Sequence, residues 1–233
     1  MYIFAIDTSQ KTVGVSILAG DEIRADILIA SGRHHSEILL PAMDQVFRLT
    51  GLRPDEMDCF AMTLGPGSFT GLRIGAATIK GLALATGKPV IGISTLDALA
   101  RNASCSAQMV CPMLDAQRNQ VYTALYAPPD GSTMKKIMEE RVVDVDRWLQ
   151  ELKGDILFLG DGALKYNRLI HERFPAANGM AEIHANSVRA ATVAALARER
   201  FHRGEHLDLL TFAPSYLRLS EAEMRERQMT CKR

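Results

Sequence analysis

Apolar residues alternate with others in YIFAIDT and VGVSILA, the polar turn SQKT separates them, and a third such run, EIRADILIA, follows. Alternation of this kind puts one face of a strand on a core, so the opening predicts three strands in series, a meander. The period then changes. In SEILLPAMDQVFRLTG, Leu39, Met43, Val46 and Phe47 recur at helical spacing, with Gly51 at the C-terminal end. Pro41 belongs in or just after the first turn of that helix, since deeper inside it costs about 3 kcal/mol. CFAMTLG predicts a strand, Ser68 to Thr86 a helix closed by Gly87-Lys88-Pro89, and PVIGIS a buried strand. Strand, helix and strand make a crossover unit, with its two strands parallel and joined right-handedly. TLDALARNAS reads as a short helix running into a polar linker.

From Met109 the layout of the opening recurs. VCPMLDAQRNQVYTALYA, like YIFAIDTSQKTVGVSILA, is an apolar strand ending in Asp, a polar turn, and a second strand beginning with Val; Asp7 pairs with Val13 as Asp115 does with Val121. A duplicated unit opening each half is the simplest account. The second half continues with a turn from Pro128 to Gly131, a strand near Ile137 to Val143 and an amphipathic piece holding Trp148. Strand DILFLGD then leads into helix ALKYNRLIHERF, and Asn186-Ser187 caps helix VRAATVAALARERFHRG. FAPSYLRLS and a charged tail follow. Residues 1–103 and 104–207 are thus predicted as two related subdomains, with 208–233 packing back on the first.

The 27 basic and 27 acidic residues cancel, which removes the positive footprint of a protein that holds nucleic acid by itself. Any RNA contact needs a partner's positive surface. No run of eighteen apolar residues and no basic leader occurs, so neither a membrane span nor a signal peptide is expected. Cys59, Cys105, Cys111 and Cys231 show no C-x-x-C spacing and read as reduced thiols of a cytosolic protein.

The densest chemistry candidate is LGPGSFTGLRIG, Leu64 to Gly75, with four glycines in twelve residues. The phosphate-loop pattern fails because Leu72 and Arg73, not Gly-Lys-Ser/Thr, complete it. The dinucleotide pattern fails because Gly65, Gly67 and Gly71 are spaced one residue too wide. A nucleophile elbow around Ser68 fails at Pro66. What remains is packing: Gly71 and Gly75 lie one turn apart, and Ala77, Gly81 and Ala85 form a second row, so neighbours can approach two helix faces closely. Those neighbours are the chain's own sheet, another chain, or both. Substituting Gly75 by arginine separates the cases, blocking association if Gly75 faces a partner and unfolding the chain if it faces the core.

IDTS with GVSIL, then HHSEILLP, LGPGSFTGLRIG, GLALATGKPVIGISTLDALA, DAQRNQVYTALY and PSYLR together resemble the TsaB (YeaZ) family, over nearly the whole chain and densely to about residue 125. That family is the non-catalytic subunit of the bacterial machinery making threonylcarbamoyladenosine in transfer RNA. The resemblance implies an α/β, actin-like and Hsp70-like ATPase fold of two related subdomains, each a mixed sheet flanked by helices. It implies pairing with the paralogous catalytic subunit TsaD through two helices, assembly with the ATPase TsaE, tRNA contact only through the complex, and a homodimer when isolated. The matching helices supply the expected interface positions: His35, Leu39, Leu40, Met43 and Phe47 on the first, and Ser68, Phe69, Gly71, Leu72, Arg73, Gly75 and Ala76 on the second.

The catalytic paralogue carries an H-x-x-x-H metal pair after the strand equivalent to VIGIS; Thr95 and Leu99 stand there in this chain, and neither replaces an imidazole. No catalytic residue and no metal ligand is therefore expected. His202 and His206 are i, i+4, but Gly204 between them breaks the helix. In actin-like ATPases the phosphates lie between two hairpin turns. Here Asp7, Thr8, Ser9, Asp115 and Arg118 are the candidate contacts for phosphate or hydrated magnesium, yet neither turn contains the glycine that close cradling favours. ATP or ADP with magnesium is expected, if anywhere, at a complex interface. The alternative reading is a stand-alone ATP-dependent phosphotransferase of the same superfamily; a peptidase, lacking the histidine pair, is the weakest.

Overall fold

The computed structural model describes residues 1–103, 106–128, 134–175, 179–215 and 217. Strands β1 (Tyr2–Asp7), β2 (Val13–Ala19), β3 (Glu22–Ile29), β4 (Cys59–Gly65) and β5 (Val90–Ser94) form one sheet in the order β3-β2-β1-β4-β5. Strands β6 (Met109–Asp115), β7 (Gln120–Tyr126), β8 (Lys136–Asp144) and β9 (Ile156–Leu159) form a second, in the order β8-β7-β6-β9. Four strands of each sheet correspond, β1 and β6 both lying antiparallel to the next strand and parallel to a later one. The duplicated hairpin predicted from the sequence is thus part of a duplicated sheet.

Alternation decides which core each side chain enters. On β1, Ile3 and Ala5 face one way and Phe4 and Ile6 the other; on β4, Cys59 and Ala61 oppose Phe60 and Met62. Helices α1 (His35–Thr50) and α2 (Phe69–Thr86) cover the Phe4 face. Helices α3 (Thr95–Arg101) and α7 (Ala190–His202) cover the Ile3 face, and their other sides meet Val110, Leu114, Ala124 and Tyr126 of the second sheet. The far face of that sheet is closed by α4 (Val145–Glu151), α5 (Asp161–Lys165) and α6 (Asn167–Arg173), around the fully buried Trp148. Five layers result, with a middle helical layer shared by both sheets. Although residues 104–207 were grouped with the second half, α7 packs on β1, β2, β4 and β5 and so serves the first sheet as much.

Several local expectations change. Pro41 lies inside α1, a turn deeper than expected, on its exposed side where the lost hydrogen bond meets water. ALKYNRLIHERF is two helices broken at Tyr166. Asn186-Ser187 does not cap α7: its N-cap residue is Arg189, with no side-chain cap of its own, and Asp26 on β3 reaches across to accept from Ala191 N at 3.3 Å and from the Arg189 guanidinium at 2.6 Å. Leu207 N bonds Val90 O at 2.8 Å and Ser215 N bonds Leu64 O at 2.7 Å. Residues 129–131 of the predicted Pro-Asp-Gly turn, Cys105, Cys231 and the charged tail lie outside the described residues.

Candidate functional site

The β1–β2 turn is buried, with Asp7 and Thr8 at 0% and 1% exposure and Ser9 at 2%. Asp7 ends β1 and its Oδ1 accepts from Ser9 N at 3.2 Å, Ser9 Oγ at 2.6 Å and Thr63 Oγ1 at 2.6 Å. Burial nevertheless pushes its carboxyl above the usual range, the hydrogen bonds from Ser9 and Thr63 opposing it only in part. Its Oδ2, with Thr8 Oγ1 and Thr12 Oγ1, is buried without a partner.

The glycine stretch packs on this turn. Ser68 N donates to Ser9 O at 2.7 Å, while Ser68 Oγ caps α2 by accepting from Gly71 N at 3.2 Å. A methyl group on Gly67 would stand closer than 3.0 Å to Ser9 O, one on Gly71 closer than 3.0 Å to Thr8 O, and one on Gly75 closer than 3.0 Å to Thr8 Oγ1. Gly67 and Gly71 thus bring the start of α2 against the hairpin backbone of its own chain, and Gly75 brings it against the Thr8 side chain.

This sorts the twelve expected interface positions. Leu39, Met43, Gly71, Leu72, Gly75 and Ala76 are buried in the chain's own core, and Gly75 accordingly belongs to the case in which arginine unfolds the protein. His35 is half-buried with its Nε2 2.8 Å from Gln10 O, and Phe47 stacks on Phe4 with ring centroids 4.8 Å apart. Ser68 and Arg73 are exposed, the Arg73 guanidinium lying 3.8 Å from the centre of the half-buried Phe69 ring, and Leu40 is 60% exposed. The second small-residue row, Ala77, Gly81 and Ala85, is fully outward, beside Leu84 at 66% exposure. Leu84 escaped the sequence reading because helical spacing alone does not say which of two apolar stripes meets solvent.

The β6–β7 turn differs in kind. Gln117, Arg118 and Asn119 all have left-handed φ, at 58°, 52° and 61°, without a glycine among them. The absence of glycine therefore did not prevent that conformation; Asp115 Oδ1 accepting from Gln117 N at 2.9 Å and Asn119 Nδ2 donating to Asp144 at 3.1 Å hold it against a penalty of about 1–2 kcal/mol per residue. Arg118 stands exposed at the tip. Asp115 is neutralised by Lys165 Nζ at 2.8 Å, and Asp161 beside it is pushed above the usual carboxylate range by burial.

The two turns were tested as a nucleotide cradle. The first has Gly67 and Gly71 pressed on its backbone, and its Gln10 side chain crosses to the second half, Oε1 accepting from Val188 N at 2.7 Å. The second has its carboxylate tied to a lysine. These residues do not fit a triphosphate and magnesium held between them.

Thr95 and Leu99, expected from the resemblance at the paralogue's histidine positions, are both 0% exposed. Beside them Asp97 accepts from Tyr126 OH at 2.7 Å and pairs with Lys136 Nζ at 3.1 Å, while Ser94 Oγ, which caps α3, donates to Glu140 at 2.5 Å. His202 closes α7, and beyond the left-handed Gly204 the His206 ring packs back on the Gly204 carbonyl at 3.1 Å. Among the described residues no three metal-binding side chains cluster, and no helix is long and apolar enough to cross a membrane.

Comparison with known proteins agrees with this geometry. Residues 28–226 match the family model described as TsaD, tRNA N6-adenosine threonylcarbamoyltransferase. A Bacillus subtilis protein, named tRNA threonylcarbamoyladenosine biosynthesis protein TsaB, is 31% identical over 96% of both chains, and the Escherichia coli protein of that name is 30% identical over 70% of this chain and 72% of its own. The solved structure of YeaZ from Pseudomonas aeruginosa superposes with a TM-score of 0.79 at 26% identity, covering 92% of this chain and 99% of that one. With its duplicated α/β, actin-like architecture and near full-length similarity to these relatives, the chain belongs to the TsaB (YeaZ) family.

Proposed function

We propose that this chain is the non-catalytic scaffold and activating subunit of the complex that transfers a threonylcarbamoyl group to N6 of the adenosine next to the anticodon, in tRNAs reading codons that start with A. Its family supplies the pathway, since its relatives are named for threonylcarbamoyladenosine biosynthesis. One observation carries the division of labour: in a chain matching the transferase family model, Thr95 and Leu99, which the resemblance sets at the catalytic paralogue's two metal-binding histidines, are fully buried and neither replaces an imidazole as a ligand. The bond-making then belongs to TsaD. This chain binds it through the outward sides of α1 and α2, where Leu40 on the first and Leu84 with the small row Ala77, Gly81 and Ala85 on the second are exposed, the small row letting a second helix approach closely. In the cytoplasm it also recruits TsaE, meets tRNA through the complex, and pairs with its own copy by the same surface when alone. ATP or ADP with magnesium acts at a joint surface of the assembly.

Reconstituted tRNA modification with and without this chain tests the reading, and activity undiminished by its omission refutes the scaffold role. Leu84→Asp tests the surface: the variant folds, since Leu84 faces solvent, and loses TsaD in co-purification. Unimpaired co-purification removes α2 from the interface. Tight magnesium-ATP binding by the isolated chain in calorimetry favours the phosphotransferase alternative.

A further inference from the structure

We infer that the first hairpin turn, Thr8 to Gln10, is the keystone that aims both helices of the proposed partner surface, with Gln10 the positioning residue that couples their orientation to the second half of the chain. The inference deepens the proposed function and rests on it for the partner, while the keystone geometry stands by itself.

Three successive carbonyls of the turn each meet a different requirement. Thr8 O abuts Gly71 on α2, Ser9 O accepts from Ser68 N at 2.7 Å, and Gln10 O lies 2.8 Å from His35 Nε2 at the start of α1. A carbonyl only accepts, so the His35 ring donates there and carries its proton on Nε2. The Asp7 carboxylate, bonded to Ser9 and to Thr63 on β4, fixes the shape of the turn from below. Both helix starts are therefore registered against one rigid backbone segment, rather than against each other alone.

The Gln10 side chain continues the path. It is 7% exposed; its Oε1 accepts from Val188 N at 2.7 Å and its Nε2 donates to Asn186 O at 3.4 Å. Asn186 in turn accepts from Gly160 N at 2.9 Å, the residue that precedes α5, and donates to Glu182 O at 3.0 Å. A line of shielded hydrogen bonds thus runs from α1 and α2, through the turn, to the second sheet's own helices. Hairpin turns ordinarily point such groups at water. A buried glutamine that spends both ends of its amide on the other half of the molecule is spent on alignment.

Hydrogen exchange on the full chain is the test, read at the first bonded amides of α1 and α2, residues 37–40 and 72–75. Gln10→Ala is expected to speed exchange in both windows by about tenfold, the equivalent of one net hydrogen bond. Exchange around Trp148 stays unchanged, and affinity for the catalytic subunit falls about tenfold with it. His35→Ala, which removes only the α1 anchor, is expected to speed the first window and spare the second. Gln10→Glu keeps the acceptor for Val188 N but sets an oxygen against Asn186 O, and should recover only part of the protection; it also serves if the alanine variant does not fold. Faster exchange confined to residues 186–190, or unchanged exchange at α1 in His35→Ala, overturns the keystone. If Leu84→Asp leaves partner affinity intact the surface assignment falls, and the exchange result still decides the role of Gln10.

Discussion

Gly71→Ala and Gly81→Ala form a matched pair on one helix, because the same change should have opposite signs. Both glycines lie inside α2, and replacing either by alanine gains about 0.5–1 kcal/mol from reduced backbone freedom and better helix propensity. At Gly81 the new methyl meets nothing within 4 Å, so that gain is the whole effect. At Gly71 it would stand closer than 3.0 Å to Thr8 O, a backbone atom that cannot rotate away. Relief requires α2 to shift from the turn by roughly 1 Å, a distortion in the range of core overpacking at about 1–3 kcal/mol. The shift also weakens the 2.7 Å bond from Ser68 N to Ser9 O, adding about 1 kcal/mol. After the propensity gain, a net loss of about 1–3.5 kcal/mol remains. For a chain of this length each kcal/mol moves the melting point by about 2–4 °C. Thermal melts and urea titrations should therefore show Gly81→Ala higher by about 1–4 °C and Gly71→Ala lower by about 2–14 °C, with unchanged m-values. A Gly71→Ala protein as stable as the parent would refute the claim that this glycine exists for backbone contact.

Other consequences are as open to measurement. Asp26→Ala removes the long-range cap of α7 together with its pairing to the half-exposed Arg189, and should lower stability by about 2–3 kcal/mol in denaturant titrations, whereas Asp26→Asn, which keeps an acceptor, should lose about half of that. Asp7 is raised by burial, so the folded state holds its proton more tightly than the unfolded chain, and this stabilisation is present below the ordinary aspartate value and fades as pH rises through the shifted one. Relative to Asp7→Asn the parent should therefore gain stability as pH falls from neutral toward 4; a difference that shrinks on acidification counts against the shift. Burial pushes the Cys59 and Cys111 thiols up to about 12 and about 11, so in a Cys105→Ser, Cys231→Ser background maleimide should label neither until denaturant unfolds the chain.

The sequence disclosed every strand among the described residues, some by a period of two and others, β4 and β5, as short apolar runs buried on both faces, and the duplication was legible in Asp7 and Asp115 before any strand order was known. Local signals carried the helix ends as well, Gly51 and Gly87 being left-handed where expected. What resisted reading was long-range. Gly71 and Gly75 announced close packing, yet nothing in their spacing says whether the neighbour is Thr8 of the same chain or a second polypeptide. Asp26 caps a helix more than 160 residues away, and Asn186, placed where a cap should be, instead bonds Gly160. The left-handed run from Gln117 to Asn119 was hidden because its support comes from Asp115 and Asp144 rather than from glycine.

The shared middle layer has a consequence for the order in which the protein comes into being on the ribosome. β5, the last strand of the first sheet, ends at Ser94, but α7, which covers that sheet's Ile3, Ala5 and Ile91 face, ends only at His202. At about 5–20 residues per second the nascent chain leaves the part of that surface beneath α7 bare for roughly 5–20 seconds, α3 covering only the rest. Synthesis therefore passes through an interval in which the first half cannot close, and the emergence of α7, rather than completion of its leading segment, is the event that lets it fold.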